Sequence, residues 1–270
     1  MRELTDVRYE VADHTATITI DRPHAMNSFT GNTVDELIWA FKSAWADPSV
    51  GAVILTGAGD RAFCAGGDVK ERARTGGYGE TEWGTFEIER LHRIIRDIPK
   101  PVIAAVNGAA IGGGHVLHVL ADLSIASSTA RFGQAGPRVG SFDAGFGSAY
   151  LARVIGEKRA RWMWFLCEQI DAATALGWGL VNEVTEPGEL MATARERAGR
   201  INALSPTALR FLKHSFNADT DHLSGLSHLA FDGLEVFSHS EEAAEGATAF
   251  AEKRSPDYGR FRAAPKPDQG

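Results

Sequence analysis

Two glycine-rich stretches have residue types and spacing that could do chemistry: Cys64-Ala65-Gly66-Gly67-Asp68 and Ile111-Gly112-Gly113-Gly114-His115. Each follows an apolar, strand-like run, residues 52–55 and 102–106, and each leads into a helical pattern. A glycine turn between strand and helix exposes backbone N–H groups that no intrahelical carbonyl can take. Two such turns brought together would aim two N–H donors at one oxygen, which is the geometry of an oxyanion hole. Taken singly, each is equally well a tight turn that lets a helix pack closely. A third stretch, residues 133–145, is dense in turn residues and spaced polar groups, among them Gln134, Arg138, Ser141 and Asp143.

The elements that must hold these stretches can be read from hydrophobic period. Residues 7–20 alternate apolar and polar, a hairpin with Asp13-His14 at its turn. Thr33-x-x-Glu36 reads as a capping box opening a helix with Val34, Leu37, Ile38 and Phe41 on one face. Asp47-Pro48 ends that helix. A strand is expected at 52–56, and a glycine-rich loop, mobile and able to act as a lid, at 72–84. A helix from Phe86 towards Pro99 follows, then a strand at 102–106, a helix through Leu120, and short strands at 123–126 and 130–132. Helices are expected over 147–166 with a break at Gly156, and over 171–177. From 186 the pattern is helical only, near 188–203, 206–218, 224–238 and 241–252. The polar end from Pro265 is expected to fray. Strands followed by helices recur up to about residue 185, which implies a mixed α/β core.

Composition narrows the classes. The chain has 270 residues, 44% hydrophobic, with net charge −7. That suits one large domain, or a domain with a helical appendage. An acidic balance speaks against nucleic acid as a partner. Two cysteines, Cys64 and Cys167, make no disulfide framework and fit a reducing compartment. No apolar run reaches membrane-spanning length and no charged-then-apolar leader opens the sequence, so no membrane partner and a cytoplasmic location are expected.

The motifs together resemble those of the crotonase (enoyl-CoA hydratase/isomerase) superfamily. They are Asp21-Arg22-Pro23 with Met26-Asn27-Ser28, residues 62–68, Lys100-Pro-Val-Ile-Ala with residues 108–114, and Phe132-Gly133-Gln134. The resemblance implies an α/β spiral of ββα units over residues 1–200. It assigns residues 201–270 to a helical C-terminal region that builds a homotrimer or homohexamer and covers coenzyme A. It also implies an acyl-CoA thioester substrate, no tightly bound cofactor and no metal. The thioester oxygen would sit between the N–H groups of Gly67 and Gly113. The two glutamates by which hydratases of the family activate water fall on Val116 and Gly136 here. Neither residue can give or take a proton.

Residues 111–118, 132–143, 164–167 and 205–213 resemble a narrower branch, the 1,4-dihydroxy-2-naphthoyl-CoA synthases, which close a ring by intramolecular Claisen condensation of o-succinylbenzoyl-CoA. The ring-opening 2-ketocyclohexanecarboxyl-CoA hydrolases are a related alternative, as is a divergent hydratase/isomerase acting on another acyl-CoA. The branch implies that Ser141 and Asp143 attend the acceptor ketone and that Tyr78 donates to the enolate or its product. Gln134, Gly136 and Trp164 would hold bicarbonate as the base. Ala65, Asp68, Lys70, Arg72 and Lys253 would contact substrate or coenzyme A. Departures from the branch are Val69 for glutamine, Ala135 for threonine and Ser238 for tyrosine.

Each of these residues has a plainer role to set beside the chemical one. Asp143 could cap the helix expected near Gly147, and Ser141 could serve a turn. Tyr78 could anchor its loop, Cys64 could be buried filling, and Lys253 could be a solvated charge. His115 and His118 share a helical face, where packing or a supporting hydrogen bond competes with metal ligation. Trp162 and Trp164 point to different faces, so at most one lines a pocket.

Overall fold

The computed structural model describes residues 3–262, Glu80 and Trp83 excepted. The expected hairpin is β1 (Val7–Ala12) against β2 (Thr15–Ile20), with Val7 opposite Ile20. Asp13 and His14 turn it at φ 48° and 61°. The chain then crosses through α1 (Gly31–Ala46) to β3 (Ala52–Gly57), which runs parallel to β2. The sheet continues in parallel through β5 (Val102–Val106), β7 (Leu123–Ser127) and β10 (Glu183–Thr185).

A second sheet holds four three-residue strands: β4 (Ala62–Cys64), β6 (Ala109–Ile111), β8 (Arg131–Gly133) and β9 (Gln169–Asp171). Thus β3 and β4, β5 and β6, and β7 and β8 each place one strand in each sheet before the next helix. That repeated step is the spiral the resemblance implies. The periodicity showed none of the second sheet but β8, and it also missed β10. Three residues are too few to display a period of two.

The inner strands β3 and β5 are buried on both faces, which is why they read as unbroken apolar runs. Val53, Leu55, Val102, Ala104 and Val106 join the core beneath α1 and α3 (Ile88–Asp97). The alternate residues Ala52, Ile54, Ile103, Ala105 and Ile125 meet Leu190, Ala194 and Ala198 of α8 (Leu190–Asn202).

Two local expectations are corrected. The cap of α1 is Thr30, not Thr33: Thr30 and Thr33 form the reciprocal box. Glu36 instead accepts the backbone N–H groups of Thr5, Asp6 and Val7. Residues 72–84 are not all loop, because α2 (Val69–Thr75) runs through their start and ends on Gly76 at φ 78°.

Among the described residues the chain from Pro187 holds helices and their connections and no strand. α8 is followed by α9 (Pro206–Ala218), α10 (His222–Ser238) and α11 (Glu241–Ala251). Lys213 of α9 reaches into the core and donates to Asp122 (2.7 Å) and to the carbonyls of Ile95 and Lys100. No helix among the described residues is long and apolar enough to cross a membrane. The segment from Pro265 lies outside the described residues.

Candidate active site

The spiral brings the two glycine turns together. Cys64 of β4 pairs with Ala110 of β6, so the turns leave neighbouring strand ends in the same direction. A Cβ on Gly66 would lie 3.2 Å from the Gly113 nitrogen, and one on Gly114 would strike the Cys64 carbonyl. Glycine is needed here because two backbones meet. Phe29 fixes the first turn: its N–H donates to Gly66, and its carbonyl accepts from Asp68. That leaves the Gly67 N–H pointing away from the Phe29 strand. Gly113 is the first residue of α4 (Gly113–Val119), where an N–H has no intrahelical acceptor. Among the described residues neither N–H has a protein acceptor. Both glycines are partly accessible.

Tyr78 lies over this place. A Cβ on Gly67 would be 2.3 Å from Tyr78 Cε1 and 2.9 Å from its hydroxyl. The ring stacks on Phe86 with centroids 4.5 Å apart. Its carbonyl accepts from Gly31 at the start of α1. Burial raises the phenol's pKa, and the nearby Arg72 guanidinium opposes the rise. A cleft of about 310 Å³ is lined by Tyr78 together with Asp6, Arg22, Thr30 and Glu71. It excludes Gly67, Gly113 and Asp143 and mixes both signs of charge, so it is not the place for an enolate.

Asp143 stands just before a π-helical turn, Phe146–Tyr150, that runs into α5 (Leu151–Ile155). Its Oδ1 accepts from Gly145 (3.1 Å) and Gly147 (3.0 Å). The capping role is therefore real, and it uses one oxygen; Oδ2 has no partner among the described residues. A Cβ on Gly147 would be 2.8 Å from Asp143 Cγ and 2.9 Å from Val116 Cγ2. The carboxylate of Asp143 is thus a neighbour of Val116, one of the two positions that hold glutamate in the family's hydratases. Ser141 is partly accessible, and its N–H donates to Gly136.

The space beside Gly136 is closed. A Cβ there would be 2.6 Å from the Ser141 carbonyl oxygen and 3.1 Å from Trp164 Cζ3. Trp164 of α6 (Glu157–Leu166) donates its indole N–H to the Gly147 carbonyl at 2.7 Å. The Gln134 amide nitrogen is 3.1 Å from His115 Nδ1. As placed, these residues do not fit a bicarbonate ion: a carbonyl oxygen faces the space, and the indole donor is already engaged. Trp164 is buried while Trp162 is 53% exposed.

The remaining candidates divide. Ala65 is near the turn, its N–H held by Met26. Asp68 caps α2 through the N–H groups of Lys70 and Glu71 and pairs with Arg22 at 3.2 Å. Arg72 donates to the Gly140 carbonyl, tying α2 to the segment that carries Ser141. Lys70 and Lys253 are exposed, and among the described residues their side chains form no ion pair. Cys64 is buried, and desolvation pushes its thiol up to about 12, so it is filling rather than a nucleophile. His115 and His118 are buried with rings 4.9 Å apart. Burial lowers His115 to about 3. Among the described residues no cluster of three His, Cys, Asp or Glu could hold a metal ion. His92, which the sequence reading passed over, lies fully buried near Asp143.

The spiral and its paired glycine turns define an acyl-CoA-processing enzyme of the crotonase superfamily. A family model described as enoyl-CoA hydratase/isomerase matches residues 10–261, and the chain belongs to that family. It is similar to an enoyl-CoA hydratase from Mycobacterium avium subsp. paratuberculosis, with 32% identity, 95% of this chain and 99% of that one covered, and a TM-score of 0.85. A carnitinyl-CoA hydratase from Mycobacterium avium is 34% identical, with 94% and 98% covered and a TM-score of 0.83. A carnitinyl-CoA dehydratase from Mycobacterium avium is 33% identical over 91% and 96%, with a TM-score of 0.80.

Proposed function

We propose that this enzyme stabilises a thioester enolate and makes or breaks a carbon–carbon bond, in the manner of the naphthoyl-CoA synthases. The observation that carries the reading is the exchange of acids at the site. Val116 and Gly136 stand where water-activating glutamates are expected, while the Asp143 carboxylate enters beside Val116 from a different element. One carboxylate with a free oxygen suits a carbonyl acceptor better than it suits water addition, which needs a base and an acid in reach. In this reading Gly67 and Gly113 donate to the enolate oxygen as charge develops there. Ser141 and Asp143 attend the acceptor carbonyl, and Tyr78 closes over the thioester. Residues 201–270 would assemble the trimer and cover coenzyme A. The exposed Phe211, Phe216, Leu229 and Val236 of α9 and α10 support that part.

The test is turnover of o-succinylbenzoyl-CoA, followed by absorbance of the naphthoyl product, with crotonyl-CoA hydration run beside it. Ring closure without hydration is the expected result. Because the donors around Gly136 are engaged, the same rate is expected with and without added bicarbonate. Hydration without ring closure would establish the second reading, a hydratase working through Asp143 alone, which the names of the similar structures favour.

A further inference from the structure

We infer that His92 and Ser227 are positioning residues for Asp143, an inference that rests on the reading of Asp143 as the group attending the acceptor carbonyl. Two buried polar side chains converge on the short segment that aims Asp143, and they come from two different helices. His92 projects from α3 with 1% of its surface exposed, and Ser227 from α10 with none. Neither ring nitrogen of His92 and not the hydroxyl of Ser227 has a hydrogen-bond partner among the described residues.

Such groups are costly in a core, and each needs a reason. Phenylalanine and alanine would fill the same space with no polar atom to satisfy. The surroundings of the pair supply the reason. The His92 ring stands edge-on to Phe146, centroids 6.3 Å apart, and against Phe231 of α10 at 5.7 Å. Phe146 opens the π-helical turn whose approach carries Asp143. Ser227 meets the same approach one residue earlier, since a Cβ on Gly145 would be 2.7 Å from its Oγ. The Gly145 N–H is one of the two donors to Asp143 Oδ1.

The charge pattern agrees. Burial holds the His92 ring neutral, and the negative charges of Asp143 and then Glu89 oppose that. The other charged groups nearby belong to the packed helices. Arg96 stacks on Phe146, and Arg93 with Glu89 is tied to His228 of α10. A neutral imidazole keeps one N–H donor and one acceptor. It can therefore pack near the segment that carries the carboxylate without placing a second charge in the core.

The test uses the full-length protein with ¹³C-labelled aspartate carboxyls, the Asp143 resonance being identified by its loss in Asp143→Asn. In His92→Phe the Asp143 resonance is expected to shift as the segment that carries it repacks. Other aspartate resonances should stay in place, and His92→Gln should restore most of the wild-type behaviour. Ser227→Ala is an independent cut at the same segment should His92→Phe not fold. An Asp143 resonance unmoved in both His92→Phe and Ser227→Ala overturns the inference. Kinetics separate this from the parent reading. Loss of kcat at constant KM in His92→Phe, recovered in His92→Gln, is expected, whereas full turnover in Asp143→Asn would remove the parent reading and leave the resonance test standing.

Discussion

At the residue scale, the proposed reading has Gly136 separate this site from one that adds water. Gly136→Glu places the missing carboxylate on a backbone where even a Cβ would be 2.6 Å from the Ser141 carbonyl. Overpacking of that kind costs about 1–3 kcal/mol. The variant is expected to melt several degrees lower and gain no hydration of crotonyl-CoA; clear hydration would show that the site is less closed than the structure has it. Gly67→Ala probes the other half of the chemistry. Its methyl would meet Tyr78, and disturbing one oxyanion donor lowers kcat by about 10²–10³-fold. Steady-state kinetics with KM little changed is the expected signature. The choice of Gly67 and Gly113 came from the family resemblance, but the two glycine turns that hold them were legible because glycine pairs after strands have a physical use whatever the fold. His92 and Ser227 were not, because a buried polar residue at helical spacing looks like any other until the partners it lacks are known.

At the element scale, the four C-terminal helices were legible almost to their ends, since each has a long amphipathic pattern and three are bounded by Ser205, Asp219 and Ser240. The opening of α1 was not. Thr30 and Thr33 both suit a cap, and Glu36 looked like the partner of Thr33 in a box while serving the chain's first strand. The segment after α11 offers a test of one such tie. Glu245 accepts from Arg254 and from the Asp257 N–H, and these contacts hold its carboxyl at about 2, below its ordinary 4.5. A carboxyl depressed on folding stabilises above its unfolded value and loses that contribution as pH falls through its folded one. Melting temperatures should therefore fall between pH 4.5 and about 2, and Glu245→Gln should flatten that stretch of the curve. An identical slope in the variant would remove the tie's energetic role.

At the scale of the whole molecule, the α/β class followed from the order of strand and helix patterns, but the second sheet did not, its strands being too short to announce themselves. The core also hides three histidines, His92, His115 and His118, each lowered chiefly by burial, His115 to about 3. Unfolded, each takes a proton near 6.5, so stability is complete above that pH and is lost as pH falls below it. Calorimetry from pH 7 to 5 should show a falling melting temperature with proton uptake on unfolding. A flat curve would mean that these rings are not buried as neutral groups. The placement of Gly67 and Gly113 on separate strand–strand–helix units also has a kinetic consequence. Neither unit owns the proposed oxygen-binding place, which would come into being only when β4 and β6 pair side by side. A refolding chain can recover its helices while still blind to thioester, so ligand recognition should lag the return of helical signal, and a break in stacking far from any reacting atom would erase it.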